Sequence, residues 1–340
     1  MTIHGMLGRG RTTVLSVAAA ALLLVGAGGL GACGDDDDGG TKADAAAGGP
    51  DAAIVDGGAP GADADPEEGD WKVLNEGSWT IPVNNGSDPY YCIITTIPED
   101  IYIKAFKGMI PVGTHHTVLT IYDGNQPDGI VPCNAGTNGP SMIYGTGIGT
   151  PPLYFPEGVG LHLRAGTRLI NNLHLFNSGD TPISGTSGTY YLPAQPSEIQ
   201  HEAEIVLAGP LQLSLPAGQK TTQSGACKVS SISASENIQV FSLAPHMHRL
   251  GTHMKTTLER GGEKTVLMDT DYQFESQTFE LQSPFIELHP TDVIRTECTY
   301  DNTTGGTVGW GQNSNNEMCF SDLYYFPAQS AQFICWDPGA

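Results

Sequence analysis

Basic residues are scarce in this 340-residue chain: 15 Lys and Arg stand against 37 Asp and Glu, a formal net charge of −22. A chain so short of cations cannot neutralise a run of phosphates, which excludes nucleic acid as a partner. Long segments of 3.6-residue apolar period are missing, so the chain is not built on amphipathic helices. It also has no short-period repeat, no phosphate-cradling nucleotide loop and no Gly-x-Ser-x-Gly elbow. Those absences remove repeat scaffolds, P-loop nucleotide hydrolysis and the common serine-hydrolase arrangement.

What the chain does have is short β-branched and aromatic runs, such as Ile101–Phe106, His116–Tyr122, Ile238–Leu243 and Thr278–Leu281. Asp-Gly steps at 123–124 and 128–129 and an Asn-Gly step at 138–139 fit turns between strands. The stretch from Trp71 onward suits two domains of ordinary size. The reading is all-β, with two consecutive antiparallel β-sandwiches at residues 71–198 and 199–340 and a boundary near Gln195-Pro196-Ser197.

The N-terminal part speaks of export. Arg9 and Arg11 precede an apolar run from Val14 to about Leu30, closed by Gly31-Ala32-Cys33. A basic start, an apolar core and small residues before the cut describe a secretory signal. Leu30-Gly31-Ala32-Cys33 resembles a bacterial lipobox, which makes residues 1–33 a leader and Cys33 a lipidated residue. The expected location is therefore outside the cytoplasm, lipid-anchored to a bacterial membrane, with the protein otherwise a monomer. Residues 34–70 hold 12 acids and one Lys among Gly, Ala and Pro. Such a segment buries too little apolar surface to offset its ordering entropy and reads as a disordered, self-repelling tether. Seven Cys less Cys33 leaves six, an even number suited to three disulfides, with fifteen pairings open.

Six soft-metal donors fall into two groups: His115, His116 and His174, then His246, His248 and, about seventy residues on, Met318. Imidazole suits copper in either oxidation state and a thioether selects Cu(I), so the two groups suggest two unlike copper sites and redox chemistry. His246 and His248, two apart on a strand, point to one face. Adjacent His115 and His116 share an ion only if the strand bulges or twists or different ring nitrogens are used. His162, His201 and His289 have no partner at ligand spacing. His253, five residues after His248, is read as a surface residue in preference to a transient ligand. Tyr324-Tyr325-Phe326 reads as a strand packing into the core.

The order of these motifs resembles the copper type II, ascorbate-dependent monooxygenases over most of the chain from Trp71 to Cys335. In the first half the resemblance rests on Thr114-His115-His116-Thr117-Val118-Leu119, on Pro151-Pro152-Leu153-Tyr154-Phe155-Pro156-Glu157-Gly158, and on Asn171-Asn172-Leu173-His174. In the second half it rests on Pro245-His246-Met247-His248-Arg249-Leu250-Gly251, on Arg295-Thr296-Glu297-Cys298, and on Glu317-Met318-Cys319. The resemblance implies two jelly-roll-like sandwiches facing each other across a cleft, each with one copper ion. It implies an electron-delivering site at His115, His116 and His174 and an oxygen-binding, catalytic site at His246, His248 and Met318. Dioxygen and ascorbate, or another reductant, would be co-substrates for hydroxylating a small or extended organic molecule. It also favours the pairings Cys227–Cys335 and Cys298–Cys319, leaving Cys92–Cys133.

Three positions depart from the family pattern. Ala244 stands where peptide-hydroxylating members carry Arg, and Asp322 where they carry Tyr, so the clamp for a substrate carboxylate is missing. Asn172 replaces a Gln near His174, which leaves the ligand set intact. Besides hydroxylation, the sequence allows a copper-binding or storage lipoprotein without turnover, and a purely structural surface protein.

Overall fold

A computed structural model describes residues 70–83, 89–136, 139–177 and 179–339. The leader, Cys33, the acidic tether up to residue 69 and Asn138 lie outside the described residues. The fold is all-β, as the alternating runs predict.

Residues 72–202 form two sheets. One runs in the order Lys72–Ile81, Ile183–Pro193, Ile101–Met109, Val159–Leu163 and His201–Glu202, with Leu153–Tyr154 also on Ile101–Met109. The other runs Gly129–Cys133, Tyr90–Thr96, Arg168–Leu175, Thr114–Ile121 and Ser141–Gly147. Residues 204–335 supply a five-stranded sheet, Glu280–Leu288, Ile238–Met247, Cys319–Phe326, Glu204–Ala208 and Ile334–Cys335. A four-stranded sheet, Gln219–Lys228, Val293–Asn302, Gly251–Arg260 and Glu263–Asp271, lies with it, and Ser214–Leu215 pairs with Val308–Gly309. The chain thus passes from the first pair of sheets to the second set after Glu202.

Period-two burial accounts for the layers. In Val293–Asn302 every second residue is buried: Ile294, Thr296, Cys298, Tyr300 and Asn302. With Met254, Leu258, Val240, Leu243 and Leu323, the side chains of Ile294, Cys298 and Tyr300 fill the core of the second half. Cys319–Phe326 is different, because all eight residues are buried. Its Cys319, Leu323 and Tyr325 enter that core. Its Phe320, Tyr324 and Phe326 enter a second core, shared with Phe106, Tyr144 and Phe155 of the first half. A strand covered on both faces carries an almost unbroken apolar run, which is what Cys-Phe-Ser-Asp-Leu-Tyr-Tyr-Phe is. Tyr324 lies in this core, its hydroxyl donating to the Ile143 carbonyl at 2.5 Å.

Three disulfides join Cys92 to Cys133, Cys227 to Cys335 and Cys298 to Cys319, with the pairing the resemblance implies. They close 41, 108 and 21 residues of chain. In the chain-entropy account each stabilises by about 3–5 kcal/mol.

Candidate metal centre

Two neighbouring strands carry the first group of histidines. Thr114–Ile121 and Arg168–Leu175 run antiparallel, with Thr114 opposite Leu175 and His116 opposite His174, so the register slips at His115. That bulge removes the alternation that would send His115 and His116 to opposite faces. Their Nδ1 atoms come to 2.9 Å, and each ring lies against His174, with centroids at 5.2 and 4.8 Å. One ring nitrogen from each of the three falls within 4.8 Å of the others. Tyr90, opposite His174 on the next strand, stacks on its ring at 4.6 Å.

The second group is assembled by another antiparallel pairing. Ala244 faces Asp322, Pro245 faces Ser321, His246 faces Phe320 and Met247 faces Cys319. One further step sets His248 opposite Met318, and opposed residues share a face. His246, His248 and Met318 therefore leave the same side of the sheet although about seventy residues separate them in the chain. His248 Nδ1–H donates to the Asn316 carbonyl at 3.0 Å. His246 Nδ1–H donates to Gln277 Oε1 at 2.8 Å, and Gln277 Nε2 donates in turn to the Phe274 carbonyl. Both imidazoles thus turn Nε2 towards the cleft, the arrangement in which outer partners orient metal-binding histidines.

Glu317 ties the two ligand-bearing segments together. Its carboxylate, fully buried, accepts the His248 N–H at 2.9 Å, the Leu250 N–H at 2.7 Å and the Met318 N–H. Burial outweighs those three donors and raises its pKa to about 7. Met318 is held further by Tyr300, whose hydroxyl donates to its carbonyl at 2.6 Å, and by the Cys298–Cys319 bridge beside it.

One cleft collects the donors. His115, His116, His246, His248 and Met318 line it, with Phe274 between the groups. Phe274 stacks on His115 at 4.6 Å and meets the His248 ring edge-on at 6.3 Å. Burial depresses the imidazolium forms. The pKa of His116 lies well below its ordinary value, through desolvation first and then the neighbouring His174 and His115. Desolvation, with His246 beside it, lowers that of His248 to about 3. Neutral imidazoles converging with a thioether fit a soft or borderline ion, copper above all.

The remaining histidines among the described residues take no part. His253 pairs with Asp269 at 3.0 Å, His289 with Glu287 at 2.7 Å, and His162 lies between Asp100 and Glu202. His201, exposed, leans on Phe326. Phe274, Gln277, Glu317 and Tyr90 enter the site unforeseen. Phe274 and Gln277 belong to the irregular segment 272–279, whose sequence has no period or spacing to flag them. An acid directly before Met318-Cys319 was the one visible signal for Glu317.

Comparison with known proteins agrees with this chemistry. Residues 201–339 match the family model described as copper type II ascorbate-dependent monooxygenase, C-terminal domain. Human DBH-like monooxygenase protein 1 is 25% identical over 292 residues, 73% of this chain and 46% of the relative. Tyramine beta-hydroxylase of Caenorhabditis briggsae is 24% identical over 282 residues, 75% and 48% of the two chains. Dopamine beta-hydroxylase of Canis lupus familiaris is 23% identical over 276 residues, 70% and 43%. The chain spans about half the length of the curated relatives it matches. A likeness to the solved infectious bursal disease virus VP2 subviral particle, 9% identical with a TM-score of 0.19 over 77% of this chain and 73% of that one, carries no argument.

Two outcomes follow from the geometry. In metal-free protein the His248 ring stays neutral at pH 5, because burial lowers its pKa to about 3. Imidazole ¹⁵N shifts check this, and an imidazolium signal from His248 at pH 5 would contradict the burial argument. Glu317→Gln puts amide hydrogens against a backbone N–H, so it is expected to cost about 1–3 kcal/mol of stability. It should weaken copper binding roughly 10- to 100-fold at one site while leaving the other unchanged. Loss at both sites or at neither, in a titration with a Cu(I) chelator, would show that Glu317 does not couple His248 to Met318.

Proposed function

We propose that this chain, whose residues 201–339 match the C-terminal domain of the copper type II, ascorbate-dependent monooxygenases, is a monooxygenase of that kind and hydroxylates a C–H bond of a small organic molecule. The observation that carries the proposal is one cleft bearing members of both donor sets, His115 and His116, which cluster with the buried His174, and His246, His248 and Met318.

Two coppers, when bound, would supply electron storage at His115, His116 and His174 and dioxygen activation at His246, His248 and Met318. The protein's own residues do the rest. Met318 offers a soft donor that favours the reduced ion. Asn316 and Gln277 fix the tautomers of His248 and His246, so that Nε2 of each keeps its lone pair. Phe274 packs between the groups, on the His115 ring and against the edge of His248. The overall conversion is R–H + O₂ + 2 e⁻ + 2 H⁺ → R–OH + H₂O; oxidation of the ascorbate anion to dehydroascorbate supplies the two electrons and one proton, and solvent supplies the other proton.

Export to an oxidising compartment is supported by the three disulfides. Lipid attachment at Cys33 and a single chain acting as a monomer rest on the sequence alone.

The test is turnover of the full-length, copper-loaded protein with ascorbate, ¹⁸O₂ and a panel of small organic molecules. One ¹⁸O per product molecule is expected, with oxygen uptake matched to product, and Met318→Ala lowers that coupled rate by roughly 100-fold or more. Copper binding and ascorbate oxidation without labelled product from any panel member would overturn the proposal in favour of copper storage.

A further inference from the structure

One ring in the cleft touches a donor of each group. Phe274, 8% exposed, lies nearly parallel to His115, with centroids 4.6 Å and planes 27° apart. It meets the His248 ring edge to face, at 6.3 Å and 79°. Both separations lie within the range of aromatic contact. The packed rings continue inside each group, His115 against His116 and His174 at 5.2 Å, and His248 against His246 at 5.6 Å. A phenyl ring carries no metal donor and no titrating proton, so neither ligation nor acid–base chemistry accounts for it there.

The segment that carries this ring is irregular, yet it is tied to both halves of the chain. Tyr272 donates its N–H to the Thr252 carbonyl at 3.0 Å and its hydroxyl to the carbonyl of Met247, the residue between His246 and His248. Gln277 donates from Nε2 to the Phe274 carbonyl while its Oε1 accepts from His246. From the first half, Thr150 Oγ1 donates to the Gln277 carbonyl at 3.3 Å. The Arg249 guanidinium lies 6.0 Å from the centre of the Phe274 ring. These ties fix the backbone on either side of Phe274, and close packing holds the ring itself.

The donor sets give an electron a direction. A thioether favours Cu(I), so with copper in both groups the reduced state settles at His246, His248 and Met318 in preference to the three imidazoles. Electronic coupling falls more steeply across an open gap than through atoms in van der Waals contact. The route His115, Phe274, His248 is contact throughout. We propose that the Phe274 ring is the bridge for electron exchange between the two groups. One electron leaves a reduced ion held by His115, His116 and His174 and arrives at an oxidised ion held by His246, His248 and Met318. Phe274 itself is neither oxidised nor reduced, and no proton passes through it. This rests on the reading of the two groups as unlike copper sites serving one hydroxylation.

Electron movement, read apart from turnover, tests it. Full-length protein holding two Cu(II) ions receives less than one electron per molecule by flash photoreduction. EPR of samples frozen at increasing delays follows the electron as it redistributes between the two Cu(II) signals, and pulsed dipolar EPR of the oxidised protein gives the copper–copper distance. In wild type the redistribution is expected to be first order, independent of protein concentration, and to end at the thioether site. Phe274→Leu stays apolar but opens a gap between the rings, and is expected to slow redistribution at least about tenfold with copper stoichiometry and copper–copper distance unchanged. Phe274→Tyr keeps the ring and is expected to stay within about threefold of wild type. Redistribution in Phe274→Leu as fast as in wild type, slowing that comes with a longer copper–copper distance, or equal slowing in Phe274→Tyr would each overturn the bridge. So would a wild-type rate that rises with protein concentration, because the electron then passes between molecules. That measurement needs no variant, so a poorly folding Phe274→Leu leaves it decisive. Intramolecular redistribution with no ¹⁸O-labelled product would sink the hydroxylase reading while leaving the bridge standing, so the two failures are distinguishable.

Discussion

The antiparallel pairing of Ile238–Met247 with Cys319–Phe326 is the constraint on which the rest depends. Register in a sheet is all or nothing, because a slip of one residue moves every side chain to the other face. In the observed register one face presents Ala244, His246 and His248 against Asp322, Phe320 and Met318. A one-residue slip would turn Met318 away from His248 and bury the thioether in the sandwich core. The same strand also carries Phe320, Tyr324 and Phe326 into the core shared with the first half, so the metal-binding face and the junction between halves are fixed by one element.

Around that register, local devices remove the remaining freedom. The bulge at His115 turns two adjacent rings to one side, as His174 requires. Glu317 spans the gap between the turn after His248 and the backbone of Met318, and the Cys298–Cys319 bridge and Tyr300 hold the next peptide. Each acts on backbone next to a donor and leaves the donor atom itself available. Burying neutral imidazoles adds a chemical bias, since desolvation disfavours protons where a metal cation can gain three or more bonds.

Much of this was legible in the sequence. Two-residue spacing placed His246 and His248 on one face, the strand runs announced an all-β chain, and the ordered motifs carried the family and the disulfide pairing. The same reasoning left His115-His116 open between a bulge, a twist and the use of different ring nitrogens, because the register slip seen there is invisible in one sequence. It also missed Phe274 and Gln277, because an irregular segment owes its position to what it packs against across the two halves. Ala244 and Asp322 were legible as departures from a pattern. That Asp322 ends up buried depends on three strands meeting from residues 207, 244 and 322.

Cu(I) X-ray absorption on the ascorbate-reduced, two-copper protein tests the central claim most directly. Two unlike sites built on this register give an average of one sulfur and five nitrogen scatterers per two coppers, and Met318→Ala removes the sulfur without disturbing the nitrogens of the three-His group. A wild-type spectrum free of sulfur, or one whose sulfur survives the substitution, would mean that Met318 does not meet His246 and His248 at one ion, and the account built on that face of the sheet would fall.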